Sequence, residues 1–138
     1  MNILVTGGAG YKGIVLTTKL LDKGYKVTVI DNFMYGYEPI LHLAKHPKLH
    51  IIKKDIRNGI DDLKKYDVIF HLAANVGGIG LNQKKPGELF YDNLMMGSQL
   101  MHEAKNSGIE KFIALGTICS YPKFTPIPFS EDSIWNGY

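Results

Sequence analysis

The chain of 138 residues is long enough for one domain with a buried core, because a chain of this size hides roughly two-thirds of its unfolded surface. Hydrophobic residues at 45% and charged residues at 21% exclude a disordered chain, and no apolar run approaches the roughly 20 residues of a membrane span. The net charge of +3 is spread over short lysine pairs rather than gathered in a basic stripe, which argues against nucleic acid as a partner.

The cysteine and histidine content indicates which cellular compartment and which kinds of site to expect. The single cysteine, Cys119, excludes an internal disulfide and is typical of a reducing compartment. Five histidines are scattered without ligand spacing, so we expect no metal site. The first five residues lack the charged start of a signal peptide and are predicted to begin the first strand. We therefore expect a cytoplasmic protein with no membrane partner.

Apolar runs separated by glycine and proline predict an alternation of strands and helices. Strands are predicted at residues 3–5, 26–31, 49–53, 68–72 and 112–115, and helices at 11–23, 37–46, 61–65 and about 90–104. The three prolines after residue 121 predict a loop there. Short, nearly continuous apolar strands between helices are typical of a parallel sheet covered on both faces, and right-handed crossovers make such a sheet doubly wound.

The longest predicted helix carries one apolar stripe. Spacings of four, three, four and three residues separate Phe90, Leu94, Gly97, Met101 and Ala104. Such spacing places side chains on one side of a helix, which we expect to face the core.

A glycine-rich turn joins the first strand to the first helix. Gly7, Gly10 and Gly13 form the pattern G-x-x-G-x-x-G. Free amides and the helix dipole at a helix N-terminus favour phosphate, and side chains would block its approach. The context of strand, turn and helix therefore predicts a dinucleotide-phosphate site, with a plain tight turn as the alternative.

An acidic residue ends the second strand. Asp31 lies 18 positions after Gly13, where a carboxylate can accept hydrogen bonds from the adenosine ribose hydroxyls. The same charge repels a 2′-phosphate, so NAD is predicted over NADP. The alternative is an aspartate that starts a turn at Asp31-Asn32.

Several motifs together resemble those of the extended short-chain dehydrogenase/reductases, a family of nucleotide-sugar epimerases, dehydratases and reductases. These motifs are Thr6–Gly13, Asp31-Asn32, Asp55–Arg57 and His71–Ala74. Residues 76–80, 91–94 and 115–123 are similar to the corresponding segments of GDP-fucose synthase and its relatives. The resemblance implies a Rossmann-type α/β fold of about five strands, a nucleotide-sugar substrate, and a possible homodimer through the long helix around residues 88–106.

The resemblance also implies a set of cofactor contacts. Asp55 and Ile56 flank the adenine, Leu72, Ala73 and Ala74 line the pyrophosphate and nicotinamide side, and Asn93 supports the geometry from the long helix. Tyr11 and Lys12 lie within the glycine motif and are counted with the cofactor loop, although they depart from the aromatic-isoleucine pair that is usual in the family. Lys12 must find solvent or a phosphate there. The alternatives are a surface ion pair at residues 55–57 and a capping or packing role for Asn93.

Two residues after the fifth strand are implied in catalysis. Thr117 falls where the family places its catalytic serine or threonine, and its hydroxyl would bond the sugar hydroxyl or ketone. Cys119 matches an acid/base cysteine of the fucose-synthase pattern, whose histidine partner lies beyond this chain. The alternatives are a threonine that satisfies a backbone group and an inert buried cysteine.

The sequence also departs from the family. None of the eight tyrosines has a lysine four positions on, so the family's Tyr-x-x-x-Lys base is absent. We expect residues 1–138 to be a truncated NAD-binding domain without its substrate domain or last strands; a protein that never had the base is the alternative.

The predicted function is the cofactor-binding part of an NAD-dependent nucleotide-sugar epimerase/dehydratase, which we expect to be inactive by itself. The rivals are an NADP-dependent epimerase-reductase and a non-catalytic binding module.

Overall fold

The computed structural model describes residues 1–137 and shows a single parallel sheet at the centre of the chain. Its strands are β1 Asn2–Thr6, β2 Lys26–Asp31, β3 Leu49–Lys53, β4 Val68–His71 and β5 Lys111–Ala114. They lie in the order β3-β2-β1-β4-β5, with every neighbouring pair parallel. The strand order reverses direction between β1 and β4, which opens a crevice at the carboxyl ends of those strands.

Helices cover both faces of the sheet, because successive strand residues point to opposite sides. In β1, Ile3 packs in the same cluster as Leu20 of the first helix, whereas Leu4 packs with Met96 and Leu100 of the long helix. The α-helices are α1 Tyr11–Asp22, α2 Ile79–Lys84 and α3 Pro86–Asn106. This is the predicted doubly wound, Rossmann-type α/β fold. Within residues 1–137, no helix combines the length and apolar character that a membrane crossing requires.

Helix ends follow the local chemistry of the sequence. Gly24 and Gly108, just beyond α1 and α3, have φ of 82° and 72°, which is the left-handed conformation that often ends a helix. Pro86 lies in the first turn of α3, where backbone N–H groups have no partner within the helix. Its missing N–H therefore costs no hydrogen bond.

Two predicted helices are shorter and tighter than expected. Residues 37–46 form a 3₁₀ helix only over Glu38–Leu43, and residues 61–65 only over Leu63–Lys65. Both apolar patterns are too short to support several α-helical turns against the sheet. Helix α2 was not predicted, since residues 76–80 contain three glycines. The predicted loop after residue 121 is interrupted by a 3₁₀ turn at Glu131–Trp135.

Three residues of the α3 stripe do not face the core, so the core prediction is wrong for them and the dimer face that the resemblance implies stays a prediction. Phe90, Leu94 and Met101 are 69%, 48% and 54% exposed, whereas Ala104 is buried. The core-facing side instead carries four other residues together with Ala104: Leu89, Asp92, Met96 and Leu100. The sequence of α3 therefore has two apolar sides, offset by about one residue along the chain. The sheet packs against the side that contains Met96.

Candidate functional site

A cavity of about 350 Å³ lies over the carboxyl ends of β1, β2 and β4. Its size is within the range of small-molecule sites. Nine of the predicted cofactor residues line it: Gly7, Gly10, Asp31, Asn32, Asp55, Ile56, Leu72, Ala73 and Ala74. The other six predicted site residues are not among its lining: Tyr11, Lys12, Gly13, Asn93, Thr117 and Cys119.

The glycine-rich turn is held by close backbone contacts. Gly7 has φ of 70°, and a Cβ there would stand 2.7 Å from the backbone nitrogen of Ala73. A Cβ at Gly13 would stand 2.1 Å from the carbonyl oxygen of Gly7. Gly13 is therefore needed for packing of the helix against the turn, while Gly7 and Gly10 lie at the cavity.

The start of α1 offers unpaired amides beside that turn. The N–H of Ile14 donates to the Gly10 carbonyl at 2.9 Å, which is the first intrahelical bond of α1. The N–H groups of residues 11–13 thus precede the hydrogen-bonded ladder and are available to an anion. The side chains of Tyr11 and Lys12 are exposed, and neither lines the cavity.

Asp31 connects two loops at the cavity wall. Its Oδ2 accepts the N–H of Ala9 at 3.0 Å, and its Oδ1 accepts the N–H of Phe33 at 2.9 Å. A carboxylate has about four acceptor positions, so two remain for a ligand. The predicted turn role and the predicted ribose role are therefore compatible in one residue.

A guanidinium between two carboxylates closes the other side of the cavity. Arg57 Nε donates to Asp55 Oδ1 and Oδ2 at 3.0 and 3.1 Å, and Nη1 donates to Asp92 Oδ1 on α3. The Arg57 side chain holds the pKa of Asp55 below its usual range, against the opposing effect of burial. The hydrogen bonds that Arg57 donates to Asp55, and then the one to Asp92, raise the pKa of Arg57. All three residues line the cavity.

Asn93 acts through the loop after β4 rather than at the cavity. Its Oδ1 accepts the N–H of Asn75 at 2.9 Å, and its Nδ2 donates to the Asn75 carbonyl at 2.8 Å. The same Nδ2 donates to the Leu89 carbonyl at 2.8 Å. Asn93 therefore fixes the segment that follows Ala74 and also bonds within α3. Its supporting role for the cofactor stays a prediction.

A buried histidine underlies the crevice. His71 Nδ1 and Thr6 Oγ1 are hydrogen bonded at 2.8 Å across the ends of β4 and β1, and both residues are buried. Burial lowers the pKa of the His71 imidazole. The neutral ring thus braces the two strand ends beside the glycine-rich turn.

Thr117 and Cys119 lie beyond β5, outside the cavity lining. Thr117 Oγ1 accepts the N–H of Cys119 at 3.2 Å and caps the 3₁₀ turn Ile118–Ser120. The backbone role considered for Thr117 is thus present, and the hydroxyl proton remains available. Cys119 is exposed in the described chain rather than buried, and its reactivity stays a prediction.

Sequence reasoning did not select Arg57, Asp92 or Asn75 as site residues. For Arg57 the sequence predicts only the alternative of a surface ion pair, and Asp92 has no predicted role within its motif. The position of Asp92 could have been predicted, because its helical spacing from Leu89 and Met96 places it on the buried side of α3. A buried carboxylate requires hydrogen-bond or charged partners. Within residues 1–137, no three His, Cys, Asp or Glu side chains gather closely enough to hold a metal ion.

Comparison with known proteins identifies the family of this chain. Residues 3–136 match the NAD dependent epimerase/dehydratase family. The chain belongs to this family. As a member of the NAD dependent epimerase/dehydratase family, it has the dinucleotide-binding fold that its strand order shows, and its relatives are enzymes.

Relatives within the NAD dependent epimerase/dehydratase family carry out different reactions. A UDP-N-acetyl-alpha-D-glucosaminuronate decarboxylase of Bacillus cytotoxicus is 37% identical, over 94% of this chain and 40% of its own length. GDP-L-fucose synthase 1 of Arabidopsis thaliana is 30% identical, over 96% of this chain and 37% of its own. The solved UDP-N-acetylglucosamine 4-epimerase of Methanobrevibacter ruminantium has a TM-score of 0.82 and 32% identity, covering 96% of this chain and 43% of its own. The chain spans about two-fifths of the length of these proteins.

Proposed function

We propose that this chain is the NAD-binding part of a nucleotide-sugar epimerase/dehydratase that transfers hydride transiently from a sugar carbon to NAD. The observation that carries the proposal is the position of Asp31. Its carboxylate is fixed at the cavity wall by Ala9 and Phe33, beside the free amides at the start of α1. A ribose and a pyrophosphate require this pairing of an acceptor with amide donors.

The residues around the cavity suit the two halves of a dinucleotide. Asp55 and Ile56 are proposed to lie against the adenine, and Asp31 with Asn32 against its ribose. Gly10 and the first amides of α1 are proposed to bind the pyrophosphate, with Leu72, Ala73 and Ala74 leading towards the nicotinamide. All of these named side chains or glycines line the same cavity.

The charge at Asp31 supports NAD rather than NADP as the cofactor. A 2′-phosphate would stand next to a carboxylate, and the three residues that directly follow Asp31 in the chain and line the cavity, Asn32, Phe33 and Met34, are uncharged. Repulsion between the two anions disfavours NADP. The alternative function, an NADP-dependent epimerase-reductase, requires a preference for NADP over NAD.

Catalytic roles beyond binding are also proposals. When NAD is bound, it supplies an acceptor for hydride from the sugar. Thr117 is proposed to donate a hydrogen bond from its hydroxyl to the sugar oxygen, because its Oγ1 already accepts a backbone N–H and its own O–H remains available. Cys119, exposed two residues further on, is proposed as an acid/base in an epimerisation. Because the sequence contains no Tyr-x-x-x-Lys, the chain by itself is proposed to bind NAD without turnover.

The exposed side of α3 supports a homodimer. Phe90, Leu94 and Met101 recur at spacings of four and seven, and each is about half or more exposed. An apolar stripe that the sheet leaves uncovered is typical of a helix that packs against a second copy.

Calorimetric titration of the 138-residue chain with NAD and NADP tests the function. We expect saturable binding of NAD and binding of NADP that is weaker by about tenfold or more, as the loss of a charge-assisted hydrogen bond predicts. Equal or tighter binding of NADP would favour the epimerase-reductase, and binding of neither would refute the proposal. Epimerisation of a nucleotide sugar by the 138-residue chain would contradict its proposed inactivity.

A further inference from the structure

The guanidinium of Arg57 is shared by two carboxylates of unequal burial. The side chain of Asp92 is 11% exposed, and that of Asp55 is 28% exposed. Asp55 is bound by Nε, Nη2 and the backbone N–H of Arg57, whereas Asp92 is bound by Nη1. Two negative groups around one positive group leave a formal charge of −1 at this side of the cavity.

Asp92 is fixed independently of Arg57. Its second oxygen, Oδ2, accepts the side-chain N–H of Asn75 at 2.9 Å. Asn75 is in turn held through its backbone by Asn93, so the position of Asp92 follows from α3 and the loop after β4 together. The carboxylate of Asp92 therefore engages one edge of the Arg57 guanidinium from a fixed position.

We propose that Asp92 sets the base preference of the site, favouring a purine that carries an exocyclic amine over one that carries a keto oxygen. This inference rests on the proposed function, because it requires the adenine of NAD to lie against Asp55. The residual negative charge favours an N–H donor at the base edge and opposes a keto oxygen there. Asp92 also occupies Nη1 of Arg57, which would otherwise be free to donate to a keto oxygen.

Asp92 is a positioning residue in this arrangement, since it acts on the base through Arg57 and Asp55. In Asp92→Asn the guanidinium and Asp55 form a neutral pair, and the amide no longer attracts Nη1 strongly. The amide of Asn75 can rotate to present its oxygen to the new Asn, so the local fold is preserved. Only the charge that discriminates between the two bases is removed.

The test compares binding of NAD and of nicotinamide hypoxanthine dinucleotide, in which a keto oxygen replaces the amine of adenine. Titration calorimetry on the 138-residue chain gives the ratio of the two dissociation constants. We expect the wild type to prefer NAD, and Asp92→Asn to reduce that preference about fivefold, the difference between a charge-assisted and a neutral hydrogen bond. Asp92→Glu keeps the charge and should restore most of the ratio.

Glu110→Gln provides the control for net charge, because Glu110 is exposed in the turn before β5 and does not line the cavity. It should leave the ratio unchanged. Ligand-free melting temperatures report folding, and Asp92→Ser replaces Asp92→Asn if the latter does not fold. A purely structural role would lower the melting temperature without changing the ratio.

The outcomes separate this inference from the proposed function. Failure of the wild type to bind NAD would refute the proposed function itself. Binding of NAD without a preference over the hypoxanthine analogue, or a preference that Asp92→Asn leaves intact, would refute the role of Asp92 alone. An equal loss of preference in Asp92→Glu would assign the effect to packing and also overturn it.

Discussion

Asp31 accepts the backbone N–H of Ala9 at 3.0 Å, so the acid at the end of β2 also holds the glycine-rich turn after β1. The two residues are 22 positions apart and meet because β1 and β2 are adjacent parallel strands. A group proposed to bind ribose is thus part of the structure that presents the phosphate site.

Replacement of Asp31 by serine should narrow the difference between NAD and NADP. Loss of the carboxylate removes two acceptor positions for ribose and the charge that opposes a 2′-phosphate. We expect NAD affinity to fall about tenfold, with NADP affinity unchanged or higher. Titration calorimetry with both cofactors measures this, and Asp22→Ser, at the exposed end of α1, serves as the control. A selectivity that survives Asp31→Ser would assign it to other residues.

Alanine at Gly13 should destabilise the fold. The new Cβ would stand 2.1 Å from the Gly7 carbonyl oxygen, and backbone atoms must shift to admit it. We expect a loss of about 1–3 kcal/mol in the free energy of unfolding, measured by urea denaturation. Gly97→Ala is the matched control within α3, because its nearest neighbour, His71 Nε2, would be 3.8 Å away. That change should stabilise by about 0.5–1 kcal/mol.

His71 should make stability depend on pH. Burial lowers its pKa in the folded state, so the unfolded chain binds a proton more readily. The contribution of neutral His71 is fully present above the unfolded pKa of about 6.5 and is lost as the pH falls from there through the folded pKa. Urea denaturation between pH 8 and pH 5 should show this loss.

His71→Gln should flatten that pH dependence, whereas His50→Gln should not, because His50 is exposed on β3. A pH profile that is identical in the wild type and in His71→Gln would show that other groups dominate it.

Aspartate at Leu94 should prevent self-association. Leu94 lies in the middle of the exposed stripe of α3, and a charge there cannot be buried against a second copy without a large desolvation cost. Sedimentation velocity should find dimers of the wild type and monomers of Leu94→Asp. Leu41→Asp is the control, since Leu41 is also exposed but lies in a 3₁₀ segment between β2 and β3. A monomeric wild type would refute the homodimer.

Thr117→Ala should affect turnover rather than cofactor binding. In a polypeptide that joins this chain to a catalytic base, we expect kcat to fall about 100-fold, as is typical when a transition-state hydrogen-bond donor is removed. The dissociation constant for NAD should stay the same, because Thr117 does not line the cavity. Thr117→Ser keeps the hydroxyl and should retain most of the activity. A normal kcat in Thr117→Ala would leave Thr117 only its capping bond to Cys119.

Local patterns were sufficient to predict the sheet and part of the site. Strands β1 and β2 are largely apolar or β-branched runs, which is enough to predict a strand from the local sequence. The glycine-rich turn follows β1 directly, and Asp31 is the last residue of β2. Parallel strands align their carboxyl ends, so residues that follow strands can be assigned to one edge without a structure. Gly7, Gly10 and Asp31 were predicted in this way, whereas Leu72 was predicted only from the family resemblance.

The sequence by itself determined the fold class, the glycine-rich turn and the acid after β2, because each depends on short-range spacing. Only the tertiary structure decided which side of α3 packs on the sheet, and it placed Phe90 and Leu94 outside. It also brought Arg57 to Asp92 across 35 positions of sequence. Burial and charge pairing between distant segments depend on how whole elements pack, and that information is not contained in the spacing of residues along one element.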